Sequence, residues 1–287
     1  MTAVFHPDGT LAAGPLELDL TPERAGWGYS GLKVLTLAPG ETWTLGTDQD
    51  EAIVLPLAGG LSAQVDGGAF VLEGRREVFT SVTDFLYLPR ECRAELTSAA
   101  GGRFAIATAR AQERLEPRRY GAEQVQVTLR GAGACSREPR NYALGNGVAT
   151  DRLLLVEVIT PGGNFSSYPP HKHDVHSEDE RELEEIYYFR MRREGGAGYH
   201  RQYTAGTRPD PVDLLTEVRT GDVVLVPHGY HGPCIAPPGE DMYYLNVMAG
   251  PQRDGVWLMT DDPAYSWVRE TWASSAVDDR LPMTGGN

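Results

Sequence analysis

The side chains equipped for chemistry crowd into the second half of this 287-residue chain. Of its seven histidines, six fall between positions 171 and 231. His171 and His173 follow Tyr-Pro-Pro and are separated by Lys172. At i and i+2 of an extended strand the two imidazoles share a face, and Lys172 turns outward. Twelve residues after His173, Glu185 opens the run Ile-Tyr-Tyr-Phe, and His231 closes the string Gly221-Asp-Val-Val-Leu-Val-Pro227-His-Gly229-Tyr-His231. Three neutral imidazoles and one carboxylate suit a single divalent ion, Zn²⁺, Mn²⁺ or Fe²⁺, with positions left open for water or substrate. Glu184 and Glu185 are neighbours, so only one faces inward. The alternation Glu185-in, Ile186-out, Tyr187-in, Tyr188-out selects Glu185 and brings Tyr187 to the same side. His200 and Arg201, on a later strand, are candidates for the pocket wall. His176 is expected in solvent and His228 in a turn. The seven carboxylates of 174–185 are expected to be mostly solvated surface.

The elements that must position these groups read as strands. Apolar β-rich runs such as 32–38, 51–59, 85–89 and 102–109 fill the first half, and 152–160, 184–191, 213–227 and 241–250 the second. Thirty-three glycines and twenty prolines punctuate them throughout, which points to an all-β sandwich or barrel rather than βαβ units. Three blocks recur in order: Leu37-Ala-Pro39-Gly40 with Ile159-Thr-Pro161-Gly162, Glu51-Ala-Ile-Val-Leu with Glu185-Ile-Tyr-Tyr-Phe, and Phe85-Leu-Tyr-Leu-Pro89 with Val223-Val-Leu-Val-Pro227. Ordered recurrence implies a duplicated unit, with one barrel over 1–130 and a second over 131–287. The first copy has no His-x-His before Glu51 and has Arg93 where the second has His231. It is therefore expected to bind no metal.

Lys and Arg number 26 against 40 Asp and Glu, a net charge of −14. That excludes a nucleic-acid binder, which needs a basic face, and an anionic membrane surface as partner. The apolar runs fall far short of the roughly 18 residues needed to span a bilayer. No signal peptide is visible at the N-terminus, and three widely spaced cysteines form no CxxC site. A cytoplasmic location is expected. Exposed outer strands are compatible with a dimer or larger homo-oligomer.

The ligand string resembles the two motifs of the cupin superfamily, with HKHD and EEIYYF for the first and GDVVLVPHGYH for the second. The blocks PGGNFSSYPPHKHD (161–174), ELEEIYYFR (182–190) and GDVVLVPHGYHGPCIAPPGEDMYYLNVMAGP (221–251) are more specific. They resemble the 5-deoxy-glucuronate isomerase family of myo-inositol catabolism, which is related to the 4-deoxy-hexuronate ketol-isomerases. That resemblance implies a bicupin of two tandem jelly-roll barrels. It also implies one divalent metal on His171, His173, Glu185 and His231, and conversion of 5-deoxy-glucuronate to 5-dehydro-2-deoxy-gluconate. The gap from His173 to Glu185 is longer than the general cupin spacing, and His231 follows Gly229 with one residue between rather than two. An aldose-to-ketose shift needs a base for the C2 proton, for which Tyr187 and a pocket carboxylate or histidine are candidates. A uronate also needs a cation, with Arg201 the first candidate and Arg190 the second. A bicupin dioxygenase and a non-catalytic sugar-binding cupin are the alternatives; oxygen uptake, or ligand binding without turnover, would mark them.

Overall fold

The structure, a computed structural model, describes residues 3–283. Two principal sheets carry the chain. The first has the order Phe85–Leu88, Asp50–Val65, Gly102–Arg110, Ser30–Leu37, Leu16–Leu20. The second has the order Val223–Val226, Glu184–Met191, Met242–Ala249, Leu154–Thr160, Glu138–Ala143. Strand for strand the orders match, as a duplication requires. Shorter strands fold each sheet into a jelly-roll barrel. In the first these include Glu41–Gly46 and Arg93–Ser98, and in the second Gly198–Tyr203, Asp213–Val218 and Tyr230–Ile235. The fold is a bicupin. No helix among the described residues is long and apolar enough to cross a membrane.

The central strands of both sheets are buried on both faces, which is why they read as continuous apolar runs rather than as alternating ones. Ala52 and Val54 point into the first barrel, while Ile53 and Leu55 point into a core shared by both barrels. Tyr187 and Phe189 point into the second barrel, while Ile186 and Tyr188 join the shared core. The two sheets thus pack back to back, and "out" on the Glu185 strand means toward the other barrel. Two short segments cross over: Phe5–His6 pairs with Val223–Val226, and Gln126–Val127 pairs with Glu138–Ala143.

The strand register corrects one detail of the repeat. Leu88 and Val226 each precede the proline of their block; Leu88 lies opposite Ala52, and Val226 opposite Glu185. The structural counterpart of Glu185 is therefore Ala52, and Glu51 corresponds to Glu184. Both of these glutamates brace the barrels. Glu184 accepts the N–H groups of Gly28, Tyr29 and Ser30, just before the strand Ser30–Leu37 pairs. Glu51 accepts those of Asp151, Arg152 and Leu153, at the matching place in the second barrel, and the Tyr87 hydroxyl. Arg93 is exposed on its strand. The first barrel retains none of the four ligands.

Candidate active site

Three segments of the second barrel converge on one point. His171 sits on a two-residue strand directly opposite His231. Glu185 is the second residue of Glu184–Met191 and faces inward because its neighbour Glu184 is engaged with the first barrel. Glu185 Oε2 lies 2.9 Å from His173 Nε2 and 3.0 Å from His231 Nε2. The ligand atoms of His173, Glu185 and His231 lie within 4.8 Å of one another, and all three residues are buried. His171 stands slightly apart, its ring 4.4 Å from that of His231 and 6.3 Å from that of His173.

Ring orientation is set from behind. Nδ1 of His171 faces the Pro169 carbonyl at 3.2 Å, and Nδ1 of His173 faces that of Leu183 at 3.0 Å. An Nδ1–H donated backward leaves Nε2 to bind forward, the arrangement of metal-ligating imidazoles. Nδ1 of the fully buried His231 has no hydrogen-bond partner, and its Nε2 contacts only the Glu185 carboxylate. A dry imidazole with one idle nitrogen is costly, and three imidazoles gathered around one carboxylate fit a divalent ion better than a self-satisfied polar cluster. Burial pushes the Glu185 carboxyl up, but His231 and His173 outweigh it and hold the group well below the usual carboxylate range. Burial pulls His173 down, and its contact with Glu185 reverses this and leaves it above 6.5. Burial, with His231 and His173 alongside, holds His171 well below that value.

Two acidic residues of the 174–185 loop hold the ligand loops, contrary to the expectation that the stretch is mostly solvated. Glu180, 2% exposed, takes Lys172 Nζ at 2.8 Å and the N–H groups of Asp174 and Val175. Asp174 accepts the Gly229 N–H at 2.9 Å, which ties the His173 segment to the turn leading into His231. His176 is exposed, and His228 bonds the Asp210 carbonyl in its turn.

A cavity opens beside the cluster. His171 and Glu185 line it together with Tyr187, Ser167 and Tyr244. The Ser167 hydroxyl links the two phenols, 3.1 Å from Tyr187 and 3.2 Å from Tyr244. Burial and the Glu185 charge push the Tyr187 phenol well above 10, so it keeps its proton. Asn141 and Asn246 also line the cavity, and Asn141 Oδ1 and Asn246 Nδ2 have no hydrogen-bond partner.

The structure does not bring the other predicted substrate residues to this cavity. His200 is fully buried behind Tyr187, its ring 5.1 Å from that phenol and its Nδ1 3.3 Å from Cys234 Sγ. Burial holds it at about 3, so it stays neutral. With His200 and Gln202 inward, alternation turns Arg201 to the outside of the barrel, where it pairs with Asp213 and lies over the Tyr203 ring. Arg190 lies on the shared-core side of its strand with Tyr188, as alternation from Glu185 requires. The cations that do line the cavity are Arg130 and Arg137, with Trp257 between Arg130 and His171. In the sequence, Gly131-Ala-Gly133 and the Arg- and Pro-rich 137–140 read as a break between barrels, and nothing local marks Arg130 or Arg137 as pocket groups.

Two tandem jelly-roll barrels, one of them carrying a His-His-Glu-His constellation, define a bicupin with a metal-type site. Comparison with known proteins narrows the class. Residues 5–268 match the KduI/IolB family, and the chain belongs to that family. It is 39% identical to the 5-deoxy-glucuronate isomerase of Geobacillus thermodenitrificans NG80-2, over 88% of this chain and 90% of that protein. It is 34% identical to the enzyme of the same name from Bacillus subtilis 168, over 88% and 92%. An IolB-like protein from Salmonella typhimurium LT2 superposes with a TM-score of 0.85 at 33% identity, over 93% of this chain and 99% of that one. An oxalate decarboxylase from Lactobacillus farciminis shares the fold at a TM-score of 0.65 and 9% identity.

Proposed function

We propose that this chain is a divalent-metal-dependent aldose–ketose isomerase that converts 5-deoxy-glucuronate to 5-dehydro-2-deoxy-gluconate. The observation that carries this reading is the buried His173–Glu185–His231 trio, joined by His171, whose Glu185 and His171 open into a cavity lined by phenols and amides. The relatives named above bear the corresponding activity in their names. His173, Glu185 and His231, joined by His171, would hold one Zn²⁺, Mn²⁺ or Fe²⁺ ion. Such an ion supplies Lewis-acid stabilisation to oxygen atoms that gain negative charge.

The protein's own groups supply the remainder. The isomerisation moves a proton from C2 to C1 and makes the C1 aldehyde a hydroxyl as the C2 hydroxyl becomes a ketone. Tyr187, held protonated, acts as a hydrogen-bond and proton donor to a substrate oxygen rather than as an ionised base, and Ser167 connects it to Tyr244. Asn141 and Asn246 offer an acceptor and a donor to sugar hydroxyls. Val156, Val158 and Met248 form an apolar wall that limits water. Cys92, Cys135 and Cys234 are free, in keeping with work in a reducing cytoplasm.

The deciding experiment is NMR of 5-deoxy-glucuronate incubated in D₂O with the metal-loaded protein. A new ketone carbon and deuterium at the reacting carbons are expected, and both should disappear on chelation. An unchanged substrate spectrum with metal bound would rule the reading out.

A further inference from the structure

We propose that Arg130 and Arg137 form the subsite for the substrate carboxylate, a two-cation clamp in the cavity wall. The inference rests on the isomerase reading for the identity of the substrate, and on geometry for the clamp itself. Both arginines line the cavity that His171 and Glu185 line. Their backbones are locked to each other: the Arg130 N–H donates to the Arg137 carbonyl at 3.0 Å, and the Arg137 N–H returns the bond at 2.9 Å. Each side chain is braced by an indole, Arg130 at 5.1 Å from Trp257 and Arg137 at 5.4 Å from Trp272. Arg137 is 7% exposed, and its Nη1 donates to the Cys135 carbonyl at 3.1 Å.

Among the described residues, neither arginine has a carboxylate partner. That separates them from the other cations around the site. Lys172 is taken by Asp174 and Glu180, Arg201 by Asp213, and Arg269 by both oxygens of Asp261. Two guanidinium groups without a carboxylate partner in one cavity wall, close enough for Arg130 to depress the protonation of Arg137, are an arrangement that repulsion opposes. Burial, followed by the neighbouring charges of Arg130 and Arg269, holds Arg137 down to about 10 despite nearby Tyr244. An anion between the two arginines relieves that cost, and a planar carboxylate matches the guanidinium fork. A sugar acid with its carbonyl end at the His–Glu cluster would then present its acid end to the clamp. This also answers how a strongly acidic protein takes an acidic substrate: the recognition is short-range and local.

The test uses the metal-loaded full chain and the variants R130A and R130K. Two readouts are compared: KM for 5-deoxy-glucuronate, and calorimetric binding of D-glucuronate against D-glucose. R130A should raise KM by about 10²-fold, as loss of a buried charge-assisted pair does. It should weaken D-glucuronate by a similar factor while leaving D-glucose binding, metal content and melting temperature near wild type. R130K, which keeps the charge without the fork, should fall between. Equal loss for acid and neutral sugar, or no loss for either, overturns the clamp. If wild type leaves 5-deoxy-glucuronate unchanged but binds D-glucuronate through Arg130, the isomerase reading fails and the clamp stands. If turnover is normal in R130A, the clamp fails and the isomerase reading stands.

Discussion

Replacing Glu51 by Gln tests whether the glutamate that survives in the first barrel is a relic of a metal site or a strut. The Glu51 carboxylate is fully buried and takes N–H bonds from Asp151 and Arg152 at 2.6 Å and Leu153 at 2.8 Å, and the Tyr87 hydroxyl at 2.9 Å. A glutamine keeps one oxygen, which can serve Arg152 and Leu153. Its NH₂ then faces the Asp151 N–H, while Tyr87 can turn its hydroxyl to accept. One buried N–H is left without an acceptor, a loss of ~1–3 kcal/mol. Two further bonds pass from an ionic to a neutral acceptor, at ~1 kcal/mol each. Burial pushes the Glu51 carboxyl up, so removing its charge returns part of this. The net expectation is ~2–4 kcal/mol, or a melting temperature lower by roughly 3–7 °C for a chain of this size. Scanning calorimetry should show that drop, while elemental analysis still finds one metal ion per chain and turnover persists. Glu185→Gln should do the reverse, with metal and activity lost and the melting temperature of the metal-free protein held at a pH above the raised His173 value. The strut argument fails if E51Q melts with the wild type. It also fails if wild type holds two ions and E51Q one.

Metal retention should weaken in acid. Glu185 holds His173 above its ordinary 6.5, so a proton competes for the site below that raised value. Apparent affinity, followed by dialysis against a chelator, should be flat above it and fall about tenfold per pH unit below; retention unchanged down to pH 5 would speak against His173 as a ligand. In the metal-free protein the sign reverses: the His173 proton stabilises the fold below 6.5, and that contribution is lost as pH rises through the raised value. Tyr187→Phe should lower kcat by about 10²-fold with metal content unchanged, the ordinary scale for loss of a proton donor; normal kcat would remove Tyr187 from the reaction. Arg201→Ala should leave KM for the uronate within about threefold of wild type, because an exposed ion pair such as that with Asp213 contributes little; a rise near 10²-fold would place Arg201 in the site after all.

What was legible in the sequence follows the range of the interactions involved. His171, His173, Glu185 and His231 could be read because each is fixed by its own strand: period-two alternation pairs the histidines, and the Pro227–Gly229 turn delivers His231. The double barrel could be read because strand text recurs in order. The match of Glu51 to Glu185 slipped by one residue because a glutamate opens both strands. What separates the two positions is a set of backbone N–H groups a hundred or more residues away, at 151–153 for Glu51 and at 28–30 for Glu184. Arg201 is a different kind of miss: once His200 faces in, alternation already turns Arg201 out, so the signal was present in the strand itself. Arg130 and Arg137 left no such signal. Their segment breaks the strand rhythm, and they reach the cavity only because the backbone bridge between 130 and 137 packs against the second barrel under Trp257 and Trp272. Short-range periodicity thus brings the candidate ligands together, whereas the groups that would select the substrate depend on contacts formed only when the barrel closes. Site residues of this second kind are found by asking which buried cations in a cavity lack a counter-charge.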